Sequence, residues 1–540
     1  MTERIVIDPM TRIEGHLRIE VDVDNGKVSN ARVSGTMARG LESLLKGRDP
    51  RDATYVTERV CGVCFSAHGW TSSMAVEMAQ GTTALPEAAR LVRNLVVSAA
   101  WLHDHVLHFY LLALPDFLDM LKIADYQGDD STIQKLRDLI AAELKNKPMD
   151  GRYAAPFLPS YLKDEHCVTD LDTVVTLMQH YFAAIKIQRQ AKKMSAMLGG
   201  KQPHQSAIVA GGVTNLPGSG ALSNFSTLLE DQAEFIENTY IKDVLDLTKG
   251  SHKNLAMSEV GVGYQNYLCY GGFPEQGGDF VYPAGAIVNE ELIATSRAEI
   301  EPAISEDVVC SWYIADSGGH PKQSGEAFDL EKPDAYSFIK AARFNGQSME
   351  VGPLARMIIA AKRSDHPAYN HQSVQELKNL IAEGFRPGVV LRHAARALEM
   401  RLLIEAMRRW VIELKDLIPS GPIPISSTKI HDSAHWAPPA TGDGCGMSEA
   451  PRGSLGHWIQ VSGSKVSHYA CVTPTTWNAS PTDSSGLTGP IEEALKNCPV
   501  PDLDNPISIA RIVRSFDPCI ACAVHVMSPG GRMRRFAIDV

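Results

Sequence analysis

Two Cys-x-x-Cys pairs stand near opposite ends of the chain, in ERVCGVCFSAH (58–68) and DPCIACAVH (517–525). If their four thiols serve one centre, the fold must bring its first and last segments together in its interior. Spacing alone leaves several readings open. Four cysteines suit structural zinc, yet zinc clips usually join pairs roughly 12–20 residues apart in small domains. A chain of 540 residues has core enough without a clip. A redox role for either pair lacks the βαβ setting of thioredoxin-like motifs. A thiolate-bound catalytic transition metal is a further reading, since soft sulfur selects zinc, iron, nickel or copper over magnesium or calcium. Unrelated pairs are the last. The other six cysteines, Cys167, Cys269, Cys310, Cys445, Cys471 and Cys498, read as small buried hydrophobes.

The rest of the sequence narrows the class. Hydrophobic content of 44% and charged content of 21% are those of an ordinary soluble protein, with room for two or three layers or subdomains. A net charge of −11 argues against nucleic acid or an anionic membrane as partner. No 18-residue apolar run is apparent, so no membrane span is expected. The start, MTERIVIDPM, has no secretory h-region.

Local patterns predict the elements. Alternation in LRIEVDV and the dipeptide Asn25-Gly26 predict a hairpin with a type I′ turn. Residues 86–121 read as a long buried helix broken near Pro115. Further helices are expected at 171–198, 222–248, 372–384 and 387–416, the last apolar on one face and charged on the other. Between 420 and 490 the chain is rich in Gly, Pro, Ser and Thr, with strand-like runs HWIQVSG and VSHYACV. The fold class predicted is mainly α with small β elements (α+β).

The residues flanking the cysteines carry more than their spacing. RVCGVCxxxH near one end and DPCxxCxxH near the other resemble the large subunit of nickel–iron hydrogenases. DPMTRIEGHLRIEV (8–21), RGLESLLKGRDP (39–50), HDHVLHFY (103–110), YSFIKAARF (336–344), EVGPLAR (350–356), EAPRGSLGHW (449–458), VTPTTWN (472–478) and GPIEEAL (489–495) are similar to that family, in its order. The fold implied is that family's catalytic subunit: a long buried helical core, an N-terminal hairpin and short strands.

The resemblance implies a role for each matching residue. Cys61 and Cys519 would be terminal nickel ligands, and Cys64 and Cys522 would bridge to an iron carrying carbon monoxide and cyanide. H2 would split heterolytically, with Cys519 a reasonable first proton acceptor and Glu14 the gate receiving that proton. On its own Glu14 reads as an ordinary glutamate on a half-exposed strand. Arg452 and Thr475 would face the cyanides, whose nitrogens suit guanidinium and hydroxyl donors. Asp104 and Asp517 would fix the arginine, and His68 would donate a hydrogen bond to a bridging sulfur; without the family, His68 is one histidine on a predicted loop. Glu42, His525 and the backbone carbonyl of Cys471 would hold a second, hard cation, magnesium or iron. Two departures stand out. Phe65-Ser66 follow Cys64 where many relatives differ, and residue 519 is plain cysteine where some relatives carry selenocysteine.

The family also implies processing and partners. An endopeptidase would cut between His525 and Val526 once nickel is inserted, so 1–525 would be a single catalytic domain and 526–540 a removable extension. Nickel-insertion factors would act before the cut. No spare cysteine cluster is available for iron–sulfur centres, which implies an obligate small subunit carrying them. Co-export with a signal-bearing small subunit would place the protein in the periplasm, and a cytoplasmic form fits almost as well. Two other classes stand against the enzyme reading. The respiratory-complex quinone-site relative lacks the ligand cysteines, all four of which are present here. A zinc-stabilised structural protein would need neither Glu14, Arg452 nor a cleavable tail.

Overall fold

Alternation sets the first sheet. Leu17, Ile19, Val21 and Val23 are buried, and the polar residues between them are partly exposed. Their strand, Leu17–Asp24, pairs antiparallel with Glu3–Ile7 on one side and Lys27–Gly35 on the other. Asn25 and Gly26 turn with φ of 50° and 72°, the two positive values that a type I′ turn requires. The structure is a computed structural model and describes residues 2–37, 39–82, 84–145, 164–418, 423–427 and 438–523.

Helices make the core. The Glu87–Leu107 helix is buried over nearly its whole length and runs on through a π turn, His108–Ala113, and a 3-10 turn, Leu114–Asp116. Pro115 therefore ends this helix rather than breaking it, since only its first turn tolerates the missing N–H. The Leu171–Gly199 and Val389–Leu417 helices pack on it. The helix expected over 222–248 is one continuous rod from Ser219 to Lys249 with a π turn at Ile236–Tyr240. The expected helix near 372–384 is Gln372–Ala382. Glu87–Asp116 corrects one expectation: it is long and apolar enough to cross a membrane, and most of it is buried inside the protein. A core helix covered all round by other elements needs the same composition as a span.

The stretch rich in Gly, Pro, Ser and Thr holds strands at both expected runs, HWIQVSG and VSHYACV, and a further strand that positions the site. Three antiparallel strands, Thr441–Ala450, Gly453–Ser462 and Lys465–Val472, form one sheet, and the first of them, TGDGCGMSEA, gives no alternating apolar signal. Its glycines have a packing cause. A Cβ on Gly442, Gly444 or Gly446 would lie 2.2, 1.9 or 2.0 Å from the carbonyl oxygens of Ala79, Ala75 and Thr71. Those three carbonyls lie one turn apart on the Phe65–Ala79 helix, so helix backbone sits directly on strand backbone. Gly444→Ala forces the two apart and is expected to lower stability by about 1–3 kcal/mol or more. A denaturation midpoint unchanged from wild type would contradict this packing.

Candidate metal centre

The first cysteine pair sits where a short 3-10 turn, Glu58–Val60, passes into the Phe65–Ala79 helix. Cys61 is extended (φ −139°, ψ 139°), and its sulfur accepts the backbone N–H groups of Val63 and Cys64 at 3.2 Å each. Cys64 is the N-cap of the helix; hydrogen bonds with Cys519 and Cys522 favour its thiolate, but the neighbouring Cys61 and burial push the thiol up to about 11. His68, expected on a loop, stands in the first turns of this helix, which aims its ring back toward the cysteines.

The second pair follows the Ile507–Ser515 helix. Asp517 turns the chain with φ 54°, and Cys519 leads into the short Ile520–Ala523 helix. The N-terminal segment fastens it. Ile520 N donates to the Glu14 carbonyl at 2.8 Å and Ala521 N to Glu14 Oε2 at 3.0 Å. Gly15 (φ 83°) allows this approach, because a Cβ there would meet Ala521 N at 2.8 Å. The two ends of the chain thus meet in the interior. The four sulfurs lie within 4.8 Å of one another and are buried, with Cys61–Cys519 at 3.3 Å, Cys64–Cys522 at 3.1 Å and Cys519–Cys522 at 3.0 Å.

This donor set fits a soft metal. Burial pushes the Cys519 and Cys522 thiols well above their ordinary value. Burial opposes ionisation at Cys61 too, but hydrogen bonds from its three cysteine neighbours hold that sulfur low. Four thiolates in such a site need a cation among them. A single ion or a thiolate-bridged pair of transition metals supplies it.

Around the sulfurs stand the other expected residues. Glu14 Oε2 accepts from Cys519 Sγ at 3.1 Å; burial, reinforced by the nearby Cys61 charge, raises its carboxyl above the usual value. It lies in the turn between the first two strands, partly buried, rather than on a strand. Arg452 occupies the turn between Ala450 and Gly453, with Nη2 3.0 Å from Asp517 Oδ1 and Nη1 3.5 Å from Asp104 Oδ2. Thr475 Oγ1 accepts the backbone N–H of Cys519 at 2.9 Å, so its hydroxyl is anchored at the site with its own hydrogen still to give. His68 Nε2 lies 3.4 Å from Cys522 Sγ. Burial lowers His68 to about 4, which keeps the ring neutral.

Glu42 and Cys471 also come together, behind the cluster: Cys471 N donates to Glu42 Oε1 at 2.9 Å. They line one cavity with Glu306, Glu326, Lys340 and Thr476. Burial, then the charge of Glu326, raises the Glu42 carboxyl well above the ordinary range. Lys340 pairs with Glu306 at 3.5 Å and Lys46 with Glu326 at 3.7 Å, which leaves one acid in excess, and a hard cation would relieve it. His525 and Val526 lie outside the described residues.

Some contributors lie in motifs to which the sequence assigns no role. Lys340 lies in YSFIKAARF, Arg356 in EVGPLAR and Glu449 in EAPRG. Arg356 is fully buried, pairs with Glu399 at 2.7 Å and Glu449 at 2.8 Å, and donates to the carbonyls of Ala450 and Pro451 at 3.1 and 2.8 Å. It thereby grips the turn that presents Arg452. Glu306 and Glu326 fall outside every quoted motif, and isolated acids carry no sequence signal. Of the scattered cysteines, Cys167, Cys269, Cys471 and Cys498 are buried, whereas Cys310 and Cys445 are only partly so.

Comparison with known proteins agrees with this arrangement. A family model described as nickel-dependent hydrogenase matches residues 39–525, and one described as HoxL-like matches residues 4–34. The uptake hydrogenase large subunit of Rhizobium leguminosarum bv. viciae is 36% identical over 98% of this chain and 96% of its own. The hydrogenase-1 large chain of Escherichia coli K12 is 34% identical, with the same two coverages of 98% and 96%. The periplasmic NiFeSe hydrogenase large subunit of Desulfomicrobium baculatum is 35% identical over 97% and 95%. Among solved structures, the reduced Ni-Fe-Se hydrogenase from D. vulgaris Hildenborough is similar with a TM-score of 0.80 and 34% identity, covering 97% of this chain and 100% of that one.

Proposed function

The chain belongs to the nickel-dependent hydrogenase family, and from that premise we propose how its residues divide the work of the catalytic subunit. The observation that carries the proposal is the convergence of four buried sulfurs from both ends of the chain, with Glu14 on one of them and Arg452 close by. Cys61, Cys64, Cys519 and Cys522 would hold a nickel–iron group whose iron carries carbon monoxide and cyanide. When bound, this group supplies the heterolytic cleavage of H2.

The protein's own residues manage charge and protons around it. Cys519 Sγ and Glu14 Oε2, 3.1 Å apart, are within direct proton-transfer reach. A carboxyl raised by burial takes and releases a proton more readily near neutrality than a free glutamate. Arg452, held by Asp104 and Asp517, and Thr475, anchored to the Cys519 backbone, would offer donors to the anionic cyanides. Glu42, the Cys471 carbonyl and His525 would hold magnesium, whose charge would offset the carboxylates of the adjoining cavity.

Large subunits of this family work with a small subunit. That partner carries the iron–sulfur centres that take electrons away, and its signal brings the pair to the periplasm. The endopeptidase cut after His525 lets that histidine close the second site. The family match ending at residue 525 supports this. Intact-mass spectrometry of protein from nickel-replete and nickel-starved hosts tests it. The expected result is a replete form ending at His525 and a starved form retaining 526–540. Identical C-termini at Val540 in both would contradict the processing.

A further inference from the structure

The contact between His68 and Cys522 is the end of a longer chain. His68 Nδ1 lies 3.1 Å from His457 Nε2, and His457 Nδ1 lies 2.8 Å from the Tyr469 hydroxyl. Tyr469 donates to Ser72 Oγ at 2.8 Å. All four residues are buried. The path leaves the Phe65–Ala79 helix at His68 and returns to it at Ser72, four positions on and on the same face. His457 and Tyr469 project from neighbouring strands, as diagonal partners in a register that sets Ile459 opposite Tyr469 and His457 opposite Cys471. A helix spacing and a sheet spacing therefore close one ring of contacts.

We propose that His457, Tyr469 and Ser72 are positioning residues of the metal centre, which hold His68 with its hydrogen on Nε2, facing the sulfur of Cys522. The inference rests on the reading of Cys522 as a metal-bound thiolate.

Counting hydrogens carries it. The four contacts need four hydrogens, and four are present: one each on Ser72, Tyr469 and the two neutral imidazoles. The chain then has two complete arrangements. In one, the hydrogens point away from Cys522, which must itself donate as a thiol; Tyr469 donating to Ser72 belongs to that arrangement. In the other, every hydrogen points toward Cys522: Ser72 to Tyr469, Tyr469 to His457, His457 to His68, His68 to sulfur. A metal-bound thiolate only accepts, so the second arrangement alone satisfies all four contacts. Hydroxyl rotation and tautomer exchange reach it with no heavy atom moved. Each donor polarises the next, so the Tyr469 hydroxyl strengthens the N–H that His68 offers the sulfur.

Infrared spectra of the assembled, nickel-loaded complex test this. Tyr469→Phe removes the hydroxyl that donates to His457. Weaker donation to Cys522 leaves more electron density on the metals, and the iron carbonyl band is expected to move to lower wavenumber at unchanged nickel content. Ser72→Ala, which deletes a single oxygen, is expected to shift it less in the same direction. It also serves if Tyr469→Phe does not assemble. Ser73→Ala is the packing control: Ser73 is on the same helix but pairs with Thr54 at 3.2 Å, away from the chain, and its band is expected at the wild-type position. A band unmoved in whichever chain variant assembles with full nickel overturns the proposal, as does an equal shift in Ser73→Ala. A wild-type complex with no such band contradicts the metal reading itself, and the inference falls with it.

Discussion

Cys522→Ser abolishes nickel retention and lowers H2 turnover by more than about 100-fold, beyond the loss typical of a residue that merely supports a ligand. The position explains the size of the effect. Cys522 Sγ touches Cys64 Sγ at 3.1 Å and Cys519 Sγ at 3.0 Å and is the sulfur that His68 faces. An alcohol there is a hard, weakly acidic donor where the site is built for soft thiolate. The substitution exchanges one buried sulfur for an oxygen and leaves the flanking core side chains Ile520 and Ala523 unchanged, so the variant is expected to keep its circular dichroism spectrum. Metal analysis and H2-dependent dye reduction check the prediction. Full nickel and wild-type turnover in Cys522→Ser would remove this sulfur from the centre.

Glu14→Gln leaves nickel bound and lowers turnover by about 10²–10⁴-fold, the range lost with a general acid–base group. Glutamine keeps the shape, and its amide oxygen still accepts from Ala521 N, so the second cysteine pair stays fastened. What it lacks is a carboxyl that can pick up and release the proton of Cys519. The pH profile follows from the direction of the shift. Burial and the nearby Cys61 charge raise the Glu14 carboxyl above 4.5. The accepting, ionised form is thus fully present only above that raised value and is lost as pH falls through it. The acid limb of wild-type turnover is expected above pH 4.5 and should be absent from the residual activity of Glu14→Gln. Undiminished turnover would place the proton exit elsewhere.

Much of this site was legible before any coordinates, for a definable reason. The side chains gathered at the cysteine cluster sit in short contiguous motifs, because chemistry fixes both their identity and their local spacing: Cys61 with Cys64, Cys519 with Cys522, Arg452 beside Pro451. The hairpin at Asn25-Gly26 and the helices at 171–199 and 389–417 were equally plain, since their periodicities are strong. What stayed hidden depends on packing between distant segments. Thr441–Ala450 gives no alternating signal because its glycines answer to the carbonyls of a helix more than 360 residues away in sequence, as the Thr71–Ser448 contact across them shows. Glu306 and Glu326 become one acidic cavity only when they meet Glu42. His457 lay inside a quoted motif, but its tie to Tyr469 and Ser72 appears only across a strand register. The Glu87–Asp116 helix shows the limit in reverse, since composition alone does not separate a buried core helix from a span.

The central claim is that these four cysteines carry a nickel–iron group with diatomic ligands. The most direct test is an infrared spectrum of the protein purified with its small subunit from its native host, taken in the window where carbon monoxide and cyanide absorb and protein does not, with nickel and iron measured on the same sample. One carbonyl band and two cyanide bands alongside bound nickel and iron are the result predicted. A silent window with zinc bound at the four cysteines would contradict the account.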